Sequence, residues 1–200
     1  MIDTTNLVQG KPMYYLYGAS NQIFDGDLVG DIGIFFCINC FNITVKNAIL
    51  SPFNYDGVFF YNTSNSTIHN VTSDSNYFGF RIIGSNANTI SGNTARANRT
   101  SGATFSSSVD NYLLDNKFIF NGGYGVNIQG ASNNTLTNNV INSNRTALFD
   151  DSENIYSNNK FFHNSETLTF ESTATSSIVN VGEVVSFGWD IFSINGEACA

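Results

Sequence analysis

Charge is scarce in this chain. Only 12% of its 200 residues are Asp, Glu, Lys or Arg, against ~25% in ordinary soluble domains. The 42% apolar fraction is too high for a charge-swollen disordered chain. Positive charge is scarcer still: eight Lys and Arg, scattered singly, face sixteen Asp and Glu, for a net charge of −8. Nucleic acid and anionic membrane surfaces are bound by basic patches, so neither is an expected partner. No apolar run approaches the ~18 residues of a membrane span, so insertion by this segment is not expected. Met1-Ile2-Asp3-Thr4 has neither the basic flank nor the apolar run of a signal peptide. The chain is therefore expected to be either cytosolic or a piece of a longer precursor.

Cysteine is as sparse as proline: three Cys and two Pro. Cys37, Cys40 and Cys199 make no disulfide framework. Cys37 and Cys40 form a lone C-x-x-C without the two further ligands that a zinc site needs. Their flanks, Ile34-Phe35-Phe36 and Ile43-Thr44-Val45, read as strands. That context disfavours a thioredoxin-like redox pair and leaves structural cysteines. No requirement for a metal, nucleotide or other cofactor is expected.

What is abundant is amide and hydroxyl: 30 Asn, 22 Ser and 17 Thr, with 17 Gly. These residues disfavour helix interiors and suit short strands joined by tight turns. Their placement is periodic. Asn47, Asn70, Asn93, Asn116 and Asn139 recur every 23 residues. Gly57, Gly79, Gly102 and Gly125 recur at 22, 23 and 23. After each Gly comes a short strand: Val58-Phe59-Phe60, Phe80-Arg81-Ile82, Ala103-Thr104-Phe105, Val126-Asn127-Ile128, and by extension Ile34-Phe35-Phe36 and Leu148-Phe149-Asp150. The first place is apolar in all six and the third in five, while the middle one is free, the period-two signature of a strand with one buried face. A second apolar column, Ile68, Ile90, Leu113 and Leu136, follows about ten residues later.

A unit of this size cannot bury its apolar face alone, whereas stacked units can. The predicted fold is all-β: a single-stranded right-handed parallel β-helix of six to seven coils, ~23 residues each, with capping ends and ~4.8 Å between coils. The Asn column is read as an internal ladder at one turn. Residues 1–32 are assigned to an irregular N-terminal coil or cap, 33–165 to the repeats, and 166–200 to a C-terminal cap or the start of another β domain.

The segment from Ile2 to Leu16, the segment Ile38-Asn39-Cys40-Phe41-Asn42-Ile43-Thr44-Val45-Lys46-Asn47 and the Ser-Asn-Asn-Thr-Leu-Thr-Asn-Asn type of repeat carry a resemblance. Over about residues 1–165 the chain resembles the NosD-like and carbohydrate-binding/sugar-hydrolase β-helix repeat proteins, among them repeat-bearing archaeal surface proteins. The resemblance implies an exported protein. It does not extend to copper, because two His, two Met and three dispersed Cys supply no cluster of the donors copper prefers.

Chemistry is thin on this scaffold. The outward column is read as Phe35, Phe59, Arg81, Thr104, Asn127 and Phe149, and its neighbour as Cys37, Tyr61, Ile83, Ser106, Gln129 and Asp151. Neither presents the pair of carboxylates that acid/base hydrolysis requires. Phe35, Phe59 and Tyr61 with Arg81 form a candidate polysaccharide-binding stripe, unless Met13–Tyr17 folds over it as a cap. Asp150, Asp151 and Glu153 are a candidate Ca²⁺ group or a solvated acidic turn. Seven N-x-[ST] sequons, at Asn42, Asn62, Asn65, Asn70, Asn98, Asn133 and Asn144, are as many as composition alone gives. Asn70, as a ladder member, is expected to be inaccessible. Three readings stand: a non-catalytic structural or adhesive module of the cell surface, a polysaccharide-binding module on the same scaffold, and a carbohydrate-active lyase, epimerase or hydrolase. The oligomeric state is not indicated.

Overall fold

The computed structural model describes residues 3–164 and, as backbone, 169–170 and 179–180. Strands of two to seven residues alternate with polar corners, and stacking them makes three sheets along one axis. The longest, of nine strands, contains Lys11–Tyr17, Ile34–Ile38, Asp56–Tyr61, Phe78–Ile83, Ser101–Ser106, Tyr124–Gln129 and Thr146–Asp150 in spatial order. The second, of eight, includes Ser20–Asp25, Phe41–Lys46, Thr67–His69, Thr89–Ser91, Tyr112–Leu114, Thr135–Thr137 and Ile155–Ser157. The third, of five, starts at Thr72–Asp74 and ends at Lys160–Phe162. Within the stack all pairings are parallel and in register, as in Val58↔Phe80↔Ala103↔Val126↔Leu148. This is a parallel β-helix.

Its interior follows the period-two pattern. Val45, Ile68, Ile90, Leu113, Leu136 and Tyr156 stack in one column of the second sheet and all are buried. Volume is conserved coil by coil. One coil places Phe80 in the first sheet and Ala95 in the third, and the next places Ala103 and Phe118 there, all four fully buried. Such exchanges keep a close-packed cross-section constant. Gly57, Gly79, Gly102 and Gly125 stand second in their strands of the first sheet. A Cβ on Gly102 would stand 2.7 Å from the Gly125 carbonyl oxygen and 2.8 Å from the Phe118 ring.

The corners share one pattern: a residue at positive φ, then a buried residue, which is short and polar in the ladders and apolar at Cys40, Ile43, Ala48 and Val71. Positive φ is found at Gly92, Asp115, Asn138 and Asn158, each followed by a ladder Asn. Each ladder Asn accepts through Oδ1 from the backbone N–H of its counterpart one coil earlier. There are three ladders: Asn88–Asn111–Asn134–Asn154, Asn93–Asn116–Asn139–Asn159 and Asn76–Asn98–Asn121–Asn144–Asn164. A shorter column of hydroxyls, Thr63, Ser85 and Ser108, does the same at a fourth corner.

Two of the expected ladder residues are therefore misassigned. Asn93, Asn116 and Asn139 are internal, but Asn47 and Asn70 occupy the preceding positive-φ place, at 52° and 50°. The interior places of their coils belong to Ala48 and Val71. Asn70 is exposed and donates to Asn47 Oδ1 on the outside, at 2.9 Å. The cause is that Asn suits both roles: it tolerates the left-handed region and bonds backbone groups. A second correction concerns the coil at Ile34–Ile38, whose register is one residue on. Phe35 pairs with Val58 and Phe36 with Phe59, so Phe35 and Cys37 are fully buried and Phe36 takes the outward place.

Lys11–Tyr17 does not fold over the outer face; it adds a strand to the sheet's edge, with Tyr15 opposite Phe36. Leu7–Val8 returns against it antiparallel. At the other end Thr169–Phe170 and Val179–Asn180 continue the first and second sheets. Apart from these pairs, the cap or further domain expected over 166–200, with Cys199, lies outside the described residues.

Candidate functional site

The outer face of the longest sheet reads, coil by coil, Tyr15, Phe36, Phe59, Arg81, Thr104, Asn127 and Phe149. Coil spacing brings these side chains into contact. Tyr15 and Phe36 have ring centroids 6.5 Å apart, Phe36 and Phe59 5.6 Å apart and edge-to-face. The Arg81 guanidinium carbon lies 4.2 Å from the Phe59 centroid. Beside this row, Tyr61 packs 6.2 Å from Phe59 and remains 47% exposed. Of the expected stripe, Phe59, Tyr61 and Arg81 are together on the outside and Phe35 is not.

Arg81 is held rigidly. Its Nε and Nη2 donate to the two Asp56 oxygens at 2.6 and 2.5 Å, a two-pronged pairing. Asp56 is 2% exposed; its burial pushes the carboxyl pKa up, and Arg81 opposes that. The repeat pattern concealed Asp56, which precedes the conserved-period Gly57. A carboxylate one residue before a turn glycine, 25 residues from an Arg on an outward place, was the available signal. Sequence reading also missed a second aromatic group at the adjoining corner. Tyr55 and Tyr77 stack at 5.0 Å and 7°, Phe78 meets both edge-on, and the Arg99 guanidinium lies 5.6 Å from the Tyr77 ring. Farther along the same sheet, Ser101 Oγ, Thr104 Oγ1 and Asn127 Oδ1 are buried without a hydrogen-bond partner, and Tyr124 and Phe149 pair at 5.8 Å.

The acidic group at Asp150–Glu153 is not assembled. Asp150 faces inward at 1% exposure, accepting from Tyr156 Oη, Asn154 Nδ2 and the Ser152 N–H. Asp151 instead accepts from the Gly130 N–H. Inward alternation on the strand separates the two carboxylates. Burial, the largest cause, pushes Asp150 upward. Among the described residues, no three His, Cys, Asp or Glu side chains converge as a metal group.

A family model described as periplasmic copper-binding protein (NosD) matches residues 3–181. No curated protein matches the sequence. Among solved structures, a double mutant of the periplasmic alginate epimerase AlgG is similar with TM-score 0.61 at 16% identity, over 84% of this chain and 41% of that one. AlgG without those substitutions gives 0.53 at 15% identity, over 86% and 48%. The chain thus spans less than half of these proteins, and at such identity the likeness concerns the fold.

The family description invites a test for copper, which favours grouped His, Met or Cys donors. Cys37 and Cys40 are free and buried. The Cys40 thiol is directed at the Leu16 and Ile38 carbonyls, and burial pushes the Cys37 thiol far up, against thiolate formation. His69 Nδ1 is bonded to Ser91 Oγ at 3.0 Å, and His163 stands on a distant coil. The described residues do not fit a copper centre.

Proposed function

This chain belongs to the NosD family, and on that premise we propose that it is a non-catalytic β-helix module that binds polysaccharide on the outer face of its longest sheet. The observation that carries this reading is the aromatic row Tyr15, Phe36 and Phe59, flanked by Tyr61 and closed by Arg81. Rings set at ~4.8 Å steps along a rod offer a continuous apolar track, and exposed apolar tracks mark contacts. Flat rings complement the apolar faces of sugars. The fold shared with a periplasmic alginate epimerase supports a saccharide ligand. We also infer an extracytoplasmic setting with a structural or adhesive role, which the family's periplasmic description supports.

The test is binding by the full chain to a polysaccharide panel, with Phe59→Ala and Tyr61→Ala beside wild type. Each variant is expected to weaken binding about tenfold, ~1.4 kcal/mol, with little change in melting temperature for Tyr61→Ala. If Tyr61→Ala melts several degrees lower and wild type retains no glycan, the row is packing and the reading fails.

Asp56 favours a second reading, a carbohydrate-active enzyme. It is a carboxylate buried behind the outer row and clasped by Arg81, and its burial raises its pKa in the direction that suits a general base. Product release by wild type, abolished in Asp56→Asn with binding retained, would replace the non-catalytic reading.

A further inference from the structure

The corner between the third and first sheets carries a notch whose walls come from the corner pattern itself. The positive-φ place on successive coils is filled by Phe53, Ser75, Ala97 and Phe120. The small Ser75 and Ala97 beside the large Phe53 leave a gap lined also by Asn54, Asn76, Tyr77 and Arg99. Phe53 has φ 62° and is 81% exposed. A bulky residue is strained in that region, and an exposed ring adds nothing to the core, so the fold itself gives no reason for Phe at this place.

Arg99 differs from its counterparts. Arg81 is paired with Asp56 and Arg96 with Asp74. The backbone N–H of Arg99 donates to the Asn76 carbonyl, but its guanidinium has no hydrogen-bond or carboxylate partner among the described residues, although the chain is acidic overall. It is oriented by stacking: Tyr55, Tyr77 and the Arg99 guanidinium follow one another along the axis. Stacking occupies a guanidinium face and leaves its N–H edge for a bidentate acceptor.

We propose that this notch is a second saccharide subsite, specific for a carboxylated sugar, in which Arg99 receives the uronate carboxylate and Phe53 covers an apolar sugar face. The proposal rests on the polysaccharide reading above and assigns the charge recognition away from Arg81, whose Nε and Nη2 already serve Asp56. Saccharide running off the aromatic row passes Phe78 and Tyr55, which join Arg81 to this corner.

The experiment is calorimetric titration of the full chain with oligogalacturonate and with its carboxyl-reduced counterpart. Wild type is expected to prefer the charged form about tenfold, in line with a charge-assisted bidentate contact. Arg99→Gln should remove that preference and leave affinity for the reduced form unchanged. Phe53→Asn, which keeps a residue at home at positive φ, should weaken both forms without lowering the melting temperature. A preference that survives Arg99→Gln overturns the subsite, as does one that disappears only in Arg81→Gln; in both cases the polysaccharide reading stands. If neither oligosaccharide nor any polysaccharide of the panel binds wild type, both proposals fall together.

Discussion

A ladder asparagine joins three coils through one amide. Asn116 Oδ1 accepts from the Asn93 N–H at 3.0 Å, while its Nδ2 donates to the Ile90 carbonyl at 2.8 Å and to Asn139 Oδ1 at 3.0 Å. Removing it strands buried backbone groups, so Asn116→Ala is expected to lower stability by about 1–3 kcal/mol, read from the denaturant midpoint. Asn70→Ala, at an exposed place, should stay within about 0.5 kcal/mol. Equal losses at the two sites would show that the inside–outside distinction is drawn wrongly. Asp150 makes a different prediction. Burial raises its pKa in the folded chain, so between the ordinary carboxylate value and the raised one the folded state holds more protons than the unfolded. Stability must then fall as pH rises through that window. Thermal melts from pH 3 upward should show the decline, and Asp150→Asn should flatten it.

At the scale of strands and corners, packing is set by the coil's total volume. Phe80→Ala should cost about 3–5 kcal/mol. Combining it with Ala95→Phe, which copies the Ala103/Phe118 arrangement of the next coil, should cost less than Phe80→Ala alone; an additive or larger loss would mean that the two places do not share volume. Ile90→Asp places an unpaired charge in the central column and should cost several kcal/mol, read by loss of the folded signal. These same elements decide what the sequence discloses. The columns through Val58 and Ile68 are legible because apolar residues there cannot exchange roles with their neighbours. The corners are less legible, since Asn serves equally before the ladder, at Asn70, and in it, at Asn93. The five-residue spacing Asn88–Asn93–Asn98, repeated at Asn111–Asn116–Asn121, was the signal for all three ladders. In the Ile34–Ile38 strand five apolar or sulfur-bearing residues in a row leave the inward phase undetermined, which is how Phe35 and Phe36 change places. The Arg81–Asp56 clasp and the Tyr55–Tyr77–Arg99 stack join residues 22 to 25 apart, and only the coil length makes them neighbours.

Over the described residues the molecule is a stack in which each coil pairs with the coils next to it, so its stability is a sum of local terms. The coil at Thr146–Phe162 departs from the repeat: its ladder steps, Asn134 to Asn154 and Asn139 to Asn159, are 20 residues rather than 23, with the bonds still formed, and a hydrogen-bonded carboxylate, Asp150, stands where the preceding coils have Phe105 and Ile128. The ladders also have a sense along the axis. In each ladder step the backbone N–H belongs to the earlier coil and the accepting side-chain oxygen to the later, while the Nδ2 of the same amide donates back to a carbonyl of the earlier coil. Along the chain each ladder N–H precedes its acceptor by about one coil, 20 to 23 residues. A stack ending at any one coil thus shows inward corner N–H groups without their acceptors, and each further coil that docks closes the end of the one before it.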